Sequence, residues 1–195
     1  MKPTKLVVPL AALALVMAVF MFPQSALGQV ETIDATARGT STQMGKTTSV
    51  KVIISQFSTA EDRETLKNAF VKGGHEGLMK ALSKMKSCGR IQIPGTLGFS
   101  LAYARTVPTA TGHKIRFVTD RKIAFGESAS NTRSKGYDMT AGEIEINDQD
   151  PSKSTGVLYP AVKVTMNKNG EPQFDLFQNP WQLVNITDWK PKEKQ

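Results

Sequence analysis

Cysteine is all but missing from this sequence. Cys88 is the single one in 195 residues, so no disulfide can close within the chain and no cysteine pair exists to build a structural zinc site. Histidine is nearly as scarce, with only His75 and His113. That shortage excludes a His-Glu-x-x-His metal motif, and no Gly-x-Ser-x-Gly elbow stands ready for a serine nucleophile. Both histidines are expected to be exposed polar residues, His75 at a Gly-Gly-His helix start and His113 at a hairpin mouth. Cys88 has neither a histidine nor a helix N-terminus beside it, so it reads as a small buried apolar residue and not as a nucleophile. The sequence assigns no catalytic residue, no metal ligand and no cofactor. Aromatics make up only 7%. The late ones, Tyr159, Phe177, Trp181 and Trp189, are expected in the core, with a stacking groove as the alternative.

Long apolar runs are also lacking, except at the N-terminus. There "MKPTKLVVPLAALALVMAVFMFPQSALGQV" places Lys2 and Lys5 before an uncharged run from Leu6 to Phe22, followed by the small-residue pattern Ala26-Leu27-Gly28. This pattern predicts an export signal cut after Gly28, with an uncleaved anchor as the alternative. The residue after the cut is Gln29 and not a cysteine, so a lipoprotein anchor is not expected. The organisation is then a signal peptide (1–28), a single domain (29–190) and a frayed tail (191–195), with no transmembrane segment after cleavage and an extracytoplasmic location, periplasmic or secreted. The formal charge of +8, lowered by Lys2 and Lys5 once the signal is cut, allows association with an anionic envelope component or a protein partner, is explained equally well by solubility, and says nothing of fold.

Periodicity supplies the elements. "VETIDATARG" and "TSVKVIISQF" alternate as strands. "STAEDRETLKNAF" opens with a capping-box pattern, Ser58 or Thr59 followed three residues on by Glu61 or Asp62, and carries Leu66, Ala69 and Phe70 on one face. Gly73-Gly74 is expected to end that helix. A second helix is expected over "HEGLMKALSKMK", with Leu78, Met79, Leu82 and Met85 at helical spacing. Lysines along this pair invite comparison with a DNA-reading helix-turn-helix, but an exported chain does not meet an operator, so no DNA reading is expected. From residue 89 onward strands are predicted at Arg90–Ile93, Leu97–Val107, His113–Thr119, Ile123–Phe125, Tyr137–Asn147, Val157–Met166, Gln173–Phe177 and Trp181–Asp188, separated by turn-forming stretches. The expected fold is α+β: a mostly antiparallel, curved meander sheet with a helical hairpin packed on one face.

The stretch "RIQIPGTLGFSLAYAR" resembles a phosphate cradle only superficially, because the segment after Gly98 alternates as a strand and carries no helix signal. Pro94-Gly95 suits the centre of a type II turn. In the strand beyond that turn, Leu97, Phe99, Leu101, Tyr103, Arg105 and Val107 share the face expected to be core, while Gly98, Ser100, Ala102, Ala104 and Thr106 share a nearly bare one. A hairpin with Val107 opposite His113 would set Lys114 and Arg116 over those small residues. From Arg105 to Lys135 there are seven Lys or Arg against two acids, and from Asp138 to Asp150 five acids and no base. Opposite charges on neighbouring strands attract, which predicts that Lys114 and Arg116 lie beside Glu143 and Glu145. Arg105, on a face read as apolar, is expected near a strand end or beside a carboxylate. Asp120 is expected to pair locally in a turn, and "EIEINDQD" reads as a strand running into a loop in preference to a calcium site.

Taken together, "TSVKVIISQFSTAEDRETL", "GLMKALSKM", "GRIQIPGTLGFSLAYAR", "FVTDRKIAF" and "EIEIN" resemble a family of uncharacterised exported bacterial proteins. The likeness runs roughly from Thr36 to Thr187 and is most specific at "PGTLG…YAR" and "TDR". It implies an exported bacterial domain and carries no catalytic role with it. The functional expectation is a non-enzymatic binding or structural domain outside the cytoplasmic membrane, its bare strand face the docking surface and Arg105, Lys114, Arg116 and Arg121 the candidate binding residues. A small extracytoplasmic hydrolase and an envelope-associating protein drawn to anionic lipid are the alternatives.

Overall fold

The computed structural model describes residues 31–123 and 136–189. The expected signal peptide, the tail 191–195 and the Phe125 end of the short predicted strand lie outside the described residues. In chain order the elements are β1 (Glu31–Gly39), β2 (Thr47–Ile54), α1 (Ala60–Leu82), β3 (Gly89–Gln92), β4 (Phe99–Pro108), β5 (Gly112–Thr119), β6 (Met139–Asn147), β7 (Thr155–Met166), β8 (Pro172–Leu176) and β9 (Trp181–Trp189). Every strand from β1 to β7 pairs antiparallel with the next, β7 pairs with β9, and β9 returns to β1. The result is a closed eight-stranded barrel, with β8 added along the far end of β7.

Two expectations are therefore corrected. The sheet is not an open meander, because its first and last strands join: Thr32 lies opposite Trp189 and Gly39 opposite Trp181. In place of a helical hairpin there is a single element, α1, broken where the first helix was expected to end, at Gly74 (φ 57°, ψ −148°), a conformation essentially confined to glycine. Closure needs more curvature than straight ladders give, and three bulges supply it. They fall in β4 between Leu101 and Tyr103, in β7 between Tyr159 and Val162, and in β9 between Val184 and Thr187. Asn185 in the last takes φ 52°, a positive value that asparagine tolerates better than most residues.

The inside of the barrel is filled with side chains, among them Ile33, Ile54, Leu101, Phe117, Ile144 and Leu183, each at most 1% exposed. Outward positions of the same strands carry charge: Asp34 meets Lys51 at 3.4 Å and Arg116 meets Glu143 at 2.6 Å. This polarity is the reverse of a membrane-spanning barrel, whose outer band is apolar. Among the described residues no helix is long and apolar enough to cross a membrane.

A second apolar cluster lies outside the barrel, where α1 covers part of the wall. Leu66 and Leu82, supported by Leu78, Met79 and Met85, pack on Ala102, Met139, Ala141 and Val162. The stripe read from the sequence is thus the helix's buried face, and the cap is as expected: Thr59 Oγ1 accepts from the Asp62 N–H at 3.2 Å, while Asp62 accepts from the Thr59 N–H at 2.8 Å. The Pro94-Gly95 turn also forms as expected, with the Thr96 N–H donating to the Ile93 carbonyl at 3.1 Å and Gly95 at φ 79°.

The β4–β5 register departs from expectation by one residue. Pro108, not Val107, faces His113, and Ala104 faces Phe117. A one-residue slip exchanges the two faces of a strand. Beyond the bulge Ala104 therefore points into the barrel and Tyr103 and Arg105 point out, so the face read as core is the outer one. The bare face offered as a docking surface does not exist as such: Ala104 is sealed inside and Ala102 lies under the helix.

Candidate functional site

The β4 bulge builds a cleft on the outer wall of the barrel. By turning Tyr103 and Arg105 outward it sets them beside the outward residues of β5 and β6, namely Arg116, Val118, Ala141 and Glu143. Tyr159 of β7 and Phe174 of β8 raise the opposite wall, their ring centroids 5.6 Å apart and tilted by 52°. Small residues keep the floor low. Gly142 lies there with the Phe117 ring against its inner side, where a Cβ would overlap it. The enclosed volume is about 410 Å³.

Charge in the cleft is uneven. As the opposed charge blocks predict, Lys114 lies opposite Glu145 and Arg116 opposite Glu143. Glu143 accepts from Arg116 Nε at 2.6 Å and also holds Lys114 Nζ at 2.9 Å, while Lys114 reaches Glu145 at 3.2 Å. Partial burial pushes the Glu143 carboxyl up, but the bonds from Lys114 and Arg116 outweigh it and hold the group below the ordinary range; those from Glu143 and Glu145 raise Lys114. Arg105 sits directly opposite Arg116 in the register, and among the described residues no carboxylate lies within ion-pair distance of it. The carboxylate expected beside it is not there. Burial pushes the Tyr103 hydroxyl above its usual range, and the charges of Arg105 and Arg63 offset part of that.

Of the four residues named from sequence, Arg105 and Arg116 line the cleft, and Lys114 grips the carboxylate beside it. Arg121 stands apart, exposed just past the end of β5 and paired with Asp120 at 3.4 Å, the local pairing expected of that turn. Sequence reasoning misses Tyr103 and Phe174 as cleft walls and offers Tyr159 only as the stacking-groove alternative to a core position. Alternation puts Tyr103 in the core, and nothing local marks Phe174.

Both histidines differ from expectation. His75 is 7% exposed; its Nδ1 accepts from the Val164 N–H at 3.1 Å and its Nε2 meets Asp138 at 2.6 Å. It pins α1 to β7. His113 lies between Glu31, 2.8 Å from Nε2, and Asp148, 3.4 Å from Nδ1, at one end of the barrel. Glu31, His113 and Asp188 bring donor atoms within 4.8 Å of one another, a set that could hold a metal ion; as it stands, His113 Nε2 is in direct hydrogen-bond contact with Glu31. In the "EIEINDQD" stretch the glutamates face Lys114 and Arg116, and Asp150 caps a 3-10 turn, Pro151–Lys153, by accepting from the Ser152 N–H. Cys88 is 2% exposed, and burial pushes its thiol up to about 11, with Sγ 3.3 Å from the Leu101 carbonyl.

Comparison of the chain with protein-family models, curated proteins and solved structures found no match.

Proposed function

We propose that the chain is an exported, non-enzymatic binding domain that holds a small, apolar-bodied ligand in the outer cleft. The observation that carries this reading is the cleft itself: three aromatic rings around a floor of small residues, on a barrel whose interior is already full. Its volume of about 410 Å³ lies in the range of small-molecule sites, roughly 300–1,000 Å³. Binding is favoured over hydrolysis by the state of the groups that line it. Glu143 is held ionised by two cations and Tyr103 is held protonated by burial, so neither is poised to exchange a proton near neutrality. The histidines are engaged elsewhere. Export rests on the N-terminal sequence and on the family resemblance.

The test is a fluorescence titration of the mature chain, from Gln29, with the neutral probe N-phenyl-1-naphthylamine. Saturable one-to-one binding is expected, weakened about three- to tenfold by Phe174→Ala, which removes one wall. No binding, or binding indifferent to that substitution, would sink the reading.

A further inference from the structure

We infer that the ligand of this cleft is a planar aromatic monocarboxylate, its carboxylate against Arg105 and Arg116 and its ring between Tyr103 and the Tyr159–Phe174 pair. The inference rests on the cleft being a binding site, and it begins from a local imbalance of charge. Two arginines stand directly opposite each other on neighbouring strands, an arrangement that repels. Glu143 answers Arg116, but it already serves Lys114 as well, and among the described residues Arg105 has no carboxylate within reach. A bound anion would relieve the repulsion. Guanidinium groups present planar forks of N–H donors matched to the two oxygens of a carboxylate, and such charge-assisted pairs are stronger than neutral ones.

The count of charges selects the anion. Arg105, Arg116 and Glu143 leave one uncompensated positive charge at the cleft, which suits a monoanion better than a phosphate dianion. The walls select the body. Tyr103, Tyr159 and Phe174 offer ring faces and edges, and aromatic pairs in offset or tilted contact gain beyond the area they bury. A flat ring uses those faces. An alkyl chain gains only the burial.

Calorimetric titration of the mature chain with 1-naphthoate, neutral 1-naphthamide and decanoate separates these features. Naphthoate is expected to bind at least about tenfold tighter than naphthamide, since hydrogen bonds to charged groups outweigh those between neutral groups. Arg105→Gln should bring naphthoate down towards the level of the amide without lowering the thermal midpoint of the ligand-free chain, since it removes one of two facing like charges, and Arg105→Lys should restore only part of the preference. Equal affinity for acid and amide, or no effect of Arg105→Gln, overturns the anion assignment while leaving the neutral probe's dependence on Phe174 to uphold the cleft. Tighter binding of decanoate overturns the aromatic assignment. Failure of all three ligands and of the neutral probe overturns the cleft reading too.

Discussion

Gly142 shows how one missing atom sets the geometry around it. The Phe117 ring, 1% exposed, lies where a Cβ at residue 142 would stand, so the two residues, directly opposite in the β5–β6 register, share one space. Gly142→Ala is expected to destabilise by about 1–3 kcal/mol through overpacking. Phe117→Leu in the same chain should recover part of that loss, and urea denaturation of the single and double variants measures both. Legibility at this scale is mixed. Cys88 can be read from its neighbours because burial suits a thiol with no activating group beside it. The histidines cannot, because their partners are far off in sequence: Asp138 is 63 residues from His75, and Glu31 is 82 from His113.

Among elements, α1 depends on the polar contacts of His75 as well as on its apolar stripe. His75 follows the Gly74 break and reaches the β7 backbone, taking the Val164 N–H at its Nδ1. Replacing it with Phe keeps a ring but leaves the partly buried Val164 N–H without its partner, and is expected to cost about 1–3 kcal/mol. Hydrogen exchange at the Val164 amide should speed up more than at β1 amides, which locates the loss. Uniform acceleration of both would contradict the bridge. Most strands, to within two or three residues at their ends, the Thr59 cap and the Gly95 turn are legible, because each is written in residues adjacent along the chain; the strand expected to begin at Ile123 is not, since Ile123 lies outside any strand. The bulges are not legible either. Nothing in "SLAYAR" marks Ala102 as an extra residue, and that one residue decides whether Tyr103 and Arg105 face the core or the solvent. The site is legible only in part for the same reason: the cations stand out by their charge, while the rings that complete the cleft come together only when the sheet curves.

For the molecule as a whole, the ion pairs on the outer wall link stability to pH. The carboxyl of Glu143 titrates below its ordinary range when folded, its bonds from Lys114 and Arg116 outweighing the upward push of burial. The folded state therefore binds this proton less readily than the unfolded chain does. The stabilisation is present in full above the ordinary glutamate range, roughly pH 4.3, and is lost as pH falls through the lower folded value. The urea midpoint of the native chain should exceed that of Glu143→Gln at pH 6, and the gap should narrow below about pH 4; a gap independent of pH refutes this. That the strands are antiparallel, and that acids face bases across β5 and β6, is readable from the sequence. Closure is not, since the edges that meet, Thr32 against Trp189, have no shared local signature.

That meeting has a consequence for how the molecule is made. β1 finds its second neighbour only in β9, so any product that stops short of β9 has an open rim along β1. Until β9 is in place the incomplete sheet can recruit stray strands, and no subset of the earlier hairpins can latch the ring. Closure must wait for β9, making the late joining of β1 to β9 the step that commits the barrel to its shape.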